Sequence, residues 1–167
     1  MTSDNELAEK DAIKELKARY FRHLDTKNWD EWRKVFTDDV VVRVDLTPSK
    51  LGEQGIPSPN PPGADAFVSL NRKRLADYVT VHHGHMPEIT LTGPQTATGI
   101  WAMEDIVEPP GGRVMRGYGH YHEEYRKVGG EWRIARLYLK RIRVDYVGGP
   151  PPTAQELAAM QQGSGGS

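Results

Sequence analysis

TVHHGHMPEITLTGPQTATGIWAMEDIVE, residues Thr80 to Glu108, reads as a strand, a turn at Gly93-Pro94 and a second strand. His82, His83 and His85 crowd its beginning, and Trp101, Met103 and Asp105 close its end. Alternate residues of an extended chain share a face, so Trp101, Met103 and Asp105 point the same way. By the same rule His83 and His85 share one face and His82 takes the other. A carboxylate on the side of a tryptophan and a methionine is either an edge charge facing water or a catalytic group in an apolar pocket.

Downstream, residues 114–128 and 131–147 continue the pattern, separated by Pro109-Pro110-Gly111-Gly112 and Gly129-Gly130. With strands at about 79–92 and 96–108, they make an antiparallel meander. The last strand, LYLKRIRVDY, sets Leu137, Leu139, Arg141 and Arg143 against Tyr138, Lys140 and Ile142. Arg141 on an apolar face needs an acidic partner, for which Asp105 is the obvious choice, and such a pair keeps its carboxylate ionised.

Upstream, residues 4–27 read as a helix capped by Ser3 or Asp4. Leu7, Ile13, Leu16, Tyr20 and Leu24 form its apolar face, with Lys10, Glu15, Lys17 and Arg19 mostly on the other side. Asn28 offers an N-cap to a short helix, WDEWRKVF, which Asp38-Asp39 breaks before the strand VVVRVDL. Residues 47–63 hold five prolines and three glycines, which exclude a regular element and suit a long loop that lies over an opening as a lid. Ala64 to Tyr78 is a third helix burying Phe67, Leu70 and Leu75. The expected fold is α+β: N-terminal helices cover one face of a strongly curved antiparallel sheet, leaving a cone-shaped cavity for a small apolar ligand. Residues 1–149 form a single domain and 150–167 a Pro/Gly-rich C-terminal tail, with a loose helix at Ala154 to Gln161 and a flexible GSGGS end.

Composition narrows the function. A chain of 167 residues suits one domain, and a net charge of −1 from 22 basic and 23 acidic residues points to no nucleic acid and no anionic membrane as partner. The absence of cysteine excludes disulfides, iron–sulfur ligation and thiol nucleophiles. MTSDNELAEKD lacks the apolar core of a signal peptide, and no run approaches the roughly 20 apolar residues of a membrane span. A cytoplasmic protein is expected.

The candidate chemistry centres on histidine, able to act as base and acid near neutral pH. The six are His23, His82, His83, His85, His120 and His122. One of them oriented by a carboxylate would be catalytic, while the rest are half-exposed strand residues. His83-x-His85 and His120-x-His122 resemble paired strand ligands, but no HExxH supports a metal and none is expected. Tyr20 and Asp25 lie five residues apart, about 140° around a helix, so they share a cavity only if the helix ends near Asp25. An acid there opposes the helix dipole, which hints at a role.

Three segments, AIKELKARYFRHLDTKNWDE (12–31), VHHGHMPEITL with TATGIWAMED (81–105), and GYGHYHEEYRKVGGEWRI (117–134), resemble the SnoaL-like branch of the nuclear transport factor 2-like superfamily. Within it they look most like the bile-acid 7α-dehydratases and, more distantly, the scytalone dehydratases and the cofactorless diarylpropane lyases. The resemblance implies a cone-shaped α+β barrel, no cofactor, and a homo-oligomer, trimer or dimer. It places a catalytic set on Tyr20, Asp25, His82, Asp105 and Arg141, and a substrate-binding wall on Trp101, Met103, Tyr118, His120, His122 and Tyr138. The Pro-rich segment and the histidines at 120 and 122 depart from the family pattern. The implied activity is dehydration of a hydrophobic hydroxylated polycyclic or aromatic small molecule by a cofactor-independent lyase. The alternatives are carbon–carbon cleavage releasing formaldehyde from a lignin-derived diarylpropane diol, and a non-catalytic binding or dimerisation module.

Overall fold

A computed structural model describes residues 3–50 and 52–162, so the GSGGS end lies outside the described residues. The four strands of the meander are β2 (Val79–Gly93), β3 (Thr96–Glu108), β4 (Val114–Val128) and β5 (Glu131–Val147), each antiparallel to the next. β1 (Phe36–Val44) joins the far edge, giving the order β1-β5-β4-β3-β2. It runs parallel to β5, which corrects the expectation of a wholly antiparallel sheet. Its β-branched sequence favours a strand but carries no information about which edge it meets.

Bulges curve the sheet. In β2, His85 and Met86 together oppose the single residue Ala102, between the pairs Gly84–Met103 and Pro87–Trp101. In β5, Ile142 is the extra residue, between Arg141 opposite Gly119 and Arg143 opposite Tyr118. That second bulge corrects the simple alternation: Arg143 turns to the outer face and is exposed, while Tyr146, opposite Met115, returns to the inner one.

The inner face is packed by α1 (Ser3–Asp25), through Ile13, Leu16, Tyr20 and Leu24. Leu7 breaks the expected stripe, being 62% exposed beyond the edge of the sheet. α2 is only Trp29–Arg33; Val35 and Phe36 pass straight into the sheet, and Asp38 and Asp39 fall within β1 on its solvent side, paired with Arg33 and Arg126. Asn28 precedes α2 without a side-chain cap. α3 (Ala64–Arg74) buries Phe67 and Val68 and leaves Leu70 and Leu75 half-buried. α4 (Ala154–Gln162) starts at a capping box, in which Glu156 N–H donates to Thr153 Oγ1 and Thr153 N–H to Glu156 Oε2.

Lys17 corrects a second expectation. It stands in phase with the stripe, four residues after Ile13, and is fully buried. Its Nζ lies 2.5 Å from Glu123 Oε1 on β4 and 3.6 Å from the centre of the Tyr121 ring. The Tyr125 hydroxyl donates to the other Glu123 oxygen and accepts from Trp101 Nε1 at 2.8 Å. Burial lowers the pKa of the Lys17 amine, and the Glu123 carboxylate restores part of it. A buried charge stripped of its partner costs about 3–5 kcal/mol. Lys17→Met alone is therefore expected to lower unfolding free energy by that amount in urea titrations, and Lys17→Met with Glu123→Gln to recover at least half of it.

Candidate active site

α1 stops where the site begins. Its end is a Schellman turn, with Asn28 N–H donating to His23 O at 2.9 Å and Lys27 N–H to Leu24 O at 3.2 Å. Glycine usually fills the left-handed position of this turn; here it is Lys27, at φ 58°. The turn leaves Asp25 facing β2. Its Oδ2 accepts the backbone N–H of His82 at 2.8 Å, and its Oδ1 meets His82 Nδ1 at 2.6 Å and the Thr80 hydroxyl at 3.0 Å. Nδ1 is thus the ring nitrogen held against the acid, and Nε2 is the one directed away from it. The Phe21 ring lies nearly parallel to the imidazole, with centroids 6.5 Å apart.

Across the sheet His82 is paired with Asp105, so both face inward. Arg141 grips Asp105 at 2.8 and 2.7 Å and donates through Nε to the Asp45 carbonyl at 2.9 Å. Burial pushes the Asp105 carboxyl up, but the guanidinium outweighs it and holds the group below the usual carboxylate range. Gly117, opposite Asp105 on β4, is what admits this pair: a Cβ there would lie 1.7 Å from Arg141 Nη1 and 2.3 Å from Asp105 Oδ1. Tyr20 is buried among Phe21, Trp32, Phe36 and Tyr121. Burial, then the carboxylates of Glu123, Asp105 and Asp25, push its phenol far above the ordinary value, keeping it protonated as a hydrogen-bond donor rather than a base.

A cavity of about 520 Å³ is lined by Leu46, Tyr78, Val107, Met115, Tyr146 and Leu157 among others, and none of the five polar residues is part of its lining. Val107 lies two residues beyond Asp105 and opposite Thr80, which puts this edge of the cavity two residue pairs past the His82–Asp105 row. The C-terminal segment, expected to be a loose tail, forms one of its walls, and Arg113 ties that wall down through Pro150 O and Glu156. A second cavity of about 550 Å³, between α1 and the β4–β5 hairpin, is lined by charged groups such as Glu9, Arg19 and Lys127.

The structure brings Tyr20, Asp25, His82, Asp105 and Arg141 to one side of the sheet, with Trp101 and Met103 buried on that same face. It does not bring Tyr118, His120, His122 or Tyr138 there, which corrects the expected substrate wall. Alternation on β4 sends Gly117, Gly119, Tyr121 and Glu123 inward, so the residues between them face out. Tyr138 stacks near His122 on that outer face and donates its hydroxyl to Asp45 at 2.8 Å. Asp45 itself went unnoticed in the sequence, where it resembles any strand-ending acid. Fully buried, it also accepts from Arg43 and the Gly55 N–H. With Leu46 N–H to Ile56 O and Ser58 N–H to Val44 O, both 2.7 Å, it docks the Pro-rich loop against the sheet edge rather than leaving it free over an opening. Thr80 and Lys27 were missed as well, although Thr80 shares the strand face of His82. Among the described residues no group of three or more His, Cys, Asp or Glu side chains is placed to hold a metal ion, and no helix is long and apolar enough to cross a membrane.

The chain is 26% identical over 140 residues to a probable cyclase of Gibberella zeae, covering 79% of this chain and 93% of that one. Among solved structures it resembles a candidate scytalone dehydratase of Novosphingobium aromaticivorans, with TM-score 0.70 and 22% identity over 91% of this chain and 96% of the other. It also resembles a type-3 hexachlorocyclohexane dehydrochlorinase of Novosphingobium barchaimii, with TM-score 0.70 and 17% identity over 90% and 100% of the two chains. At these identities the two structures speak for the fold alone. The model of the SnoaL-like domain matches residues 5–138, most of the chain, and the protein belongs to that family.

Proposed function

We propose that the protein is a cofactor-independent lyase that dehydrates a hydrophobic hydroxylated small molecule. The observation that carries the reading is the Asp25–His82 hydrogen bond, made on the inner face of the sheet beside a buried Asp105–Arg141 pair. Relatives described as a dehydratase, a dehydrochlorinase and a cyclase support an enzyme of small-molecule conversion.

In this mechanism His82 Nε2 takes a proton from a carbon next to the one bearing the hydroxyl. The C–H electrons form the new double bond, the C–O bond breaks, and the departing hydroxide takes the proton that His82 Nε2 has just received, leaving as water and restoring the imidazole. Tyr20, neutral through its burial, assists that departure. Asp105 and Arg141 orient the pocket and balance its charge. The substrate supplies the electron sink, as an enone or a para-hydroxyphenyl ring would. General acid–base work contributes about 10²–10⁴-fold, and positioning in the cavity supplies the remainder. The homo-oligomer expected from the family forms part of this proposal.

Convergence of the five polar residues favours an enzyme over a passive binding module. Formaldehyde release from a diarylpropane diol loses part of its support, because Tyr118, His120, His122 and Tyr138 lie on the outer face, although Tyr121 lies within. A turnover screen over hydroxylated steroids and lignin-type dimers, read by mass, tests the choice: loss of water supports the proposal, and loss of formaldehyde overturns it.

His82→Ala and Asp25→Asn are each expected to cut turnover by at least about 10²-fold with an unchanged circular dichroism spectrum. An unaffected rate in either removes the dyad. Asp105 gives a pH signature. A depressed folded-state pKa contributes stability that is complete above the ordinary value of 3.8 and fades as the pH falls toward the folded value. Arg141→Met removes the cation and leaves burial to raise the Asp105 carboxyl, so the sign reverses. Urea unfolding followed from neutral to acid pH should show the stability gap between wild type and this variant narrowing as the pH falls.

A further inference from the structure

We propose that Lys27 and Thr80 are positioning residues for the Asp25–His82 pair, setting the direction of the hydrogen bonds that decide which imidazole nitrogen is free. Lys27 Nζ donates to Thr80 Oγ1 at 2.7 Å, and Thr80 Oγ1 lies 3.0 Å from Asp25 Oδ1. An ammonium only donates, and a hydroxyl has a single proton. Thr80 must therefore accept from Lys27 and spend its proton on Asp25. That leaves Asp25 as an acceptor toward both neighbours, and Nδ1–H of His82 is the donor that completes it. Nε2 is the nitrogen left bare.

Two further observations make this more than a surface contact. Thr80 is buried on the inner strand face, where a hydroxyl has few alternatives to these two partners. Lys27 occupies the left-handed position that closes α1, which lets its side chain reach Thr80 on β2. A non-glycine residue held there is a strained choice, and strain of this kind clusters at functional sites. The amine is partly desolvated, which lowers its pKa, while Asp25 restores part of it.

The charges around His82 then balance. Asp25 from α1 and Asp105 from β3 are matched by Lys27 beyond α1 and Arg141 from β5; Tyr20 and Phe21 of α1 add no charge. Removing Lys27 takes away the cation that holds the Thr80 hydroxyl toward Asp25, the acid His82 Nδ1 faces.

The catalytic meaning of this arrangement rests on the lyase reading, but the hydrogen-bond direction does not, and the test separates them. The probe is the full-length protein labelled with ¹⁵N-histidine, its His82 signals assigned by His82→Gln and its tautomer read from two-bond ¹H–¹⁵N spectra. The wild type is expected in the Nδ1–H form at neutral pH. Lys27→Gly, which removes the cation and suits the left-handed turn, and Thr80→Val are each expected to raise proton occupancy of Nε2 at least about threefold. Lys27→Arg and Thr80→Ser should keep the wild-type pattern. A purely structural role would change melting temperature and leave these signals in place. Unchanged His82 signals in Lys27→Gly and Thr80→Val overturn the proposal, as does an Nε2–H wild type. Failure to find any turned-over substrate leaves these spectra unaffected and falls on the lyase reading alone.

Discussion

Arg141 carries the interior of this fold. Its guanidinium reaches Asp105 on β3 with two nitrogens and the Asp45 carbonyl after β1 with the third, from its own place on β5. A charge so deeply enclosed is tolerable only when its donors are all directed at acceptors, because the cost of an uncompensated buried ion exceeds what packing can offset. The geometry around it follows. Gly117 has no side chain because the pair occupies that space, and the Ile142 bulge turns β5 immediately after Arg141.

The same rule repeats a few residues away. Lys17 enters the core against Glu123, and Asp25 takes donors from His82 and Thr80. Each polar cluster joins α1 to a strand distant in sequence, while the apolar stripe of Ile13, Leu16, Tyr20 and Leu24 holds the helix down. Aromatic rings fill the space between the clusters, with Phe21 against His82 and Tyr121 against the Lys17 ammonium. Hydrophobic burial thus sets the helix on the sheet, and paired charges set its register. The proposed chemistry depends on that register, since a shift of one residue along β2 would turn His82 to the outer face.

The strands of the meander were legible almost to the residue, because turn chemistry at Gly93-Pro94, Pro109–Gly112 and Gly129-Gly130 punctuates β-branched runs. The inward direction of Asp105 and its match to Arg141 were legible too, from the side-chain period of two and the need of a buried cation for an acid. Inference failed where one side chain's place depends on another element. Lys17 reads as a solvated lysine until Glu123, 106 positions away, is brought beside it. His120 and His122 look like cavity residues in a family frame, yet the phase of β4, with Gly117 and Gly119 inside, turns them out.

By itself, then, the sequence determined the identity and spacing of the elements, one buried acid and its cation, and a helix that stops near Asp25. Those properties are local, following from backbone sterics, turn residues and the periodicities of helix and strand. Tertiary structure alone decided that β1 runs parallel to β5, that two bulges exchange the faces of β2 and β5 partway along, and that Asp45, Thr80 and Lys27 attend the site. Edge choice, bulge position and long-range polar partners depend on free energies summed over contacts between distant segments, and no single stretch of chain encodes that sum.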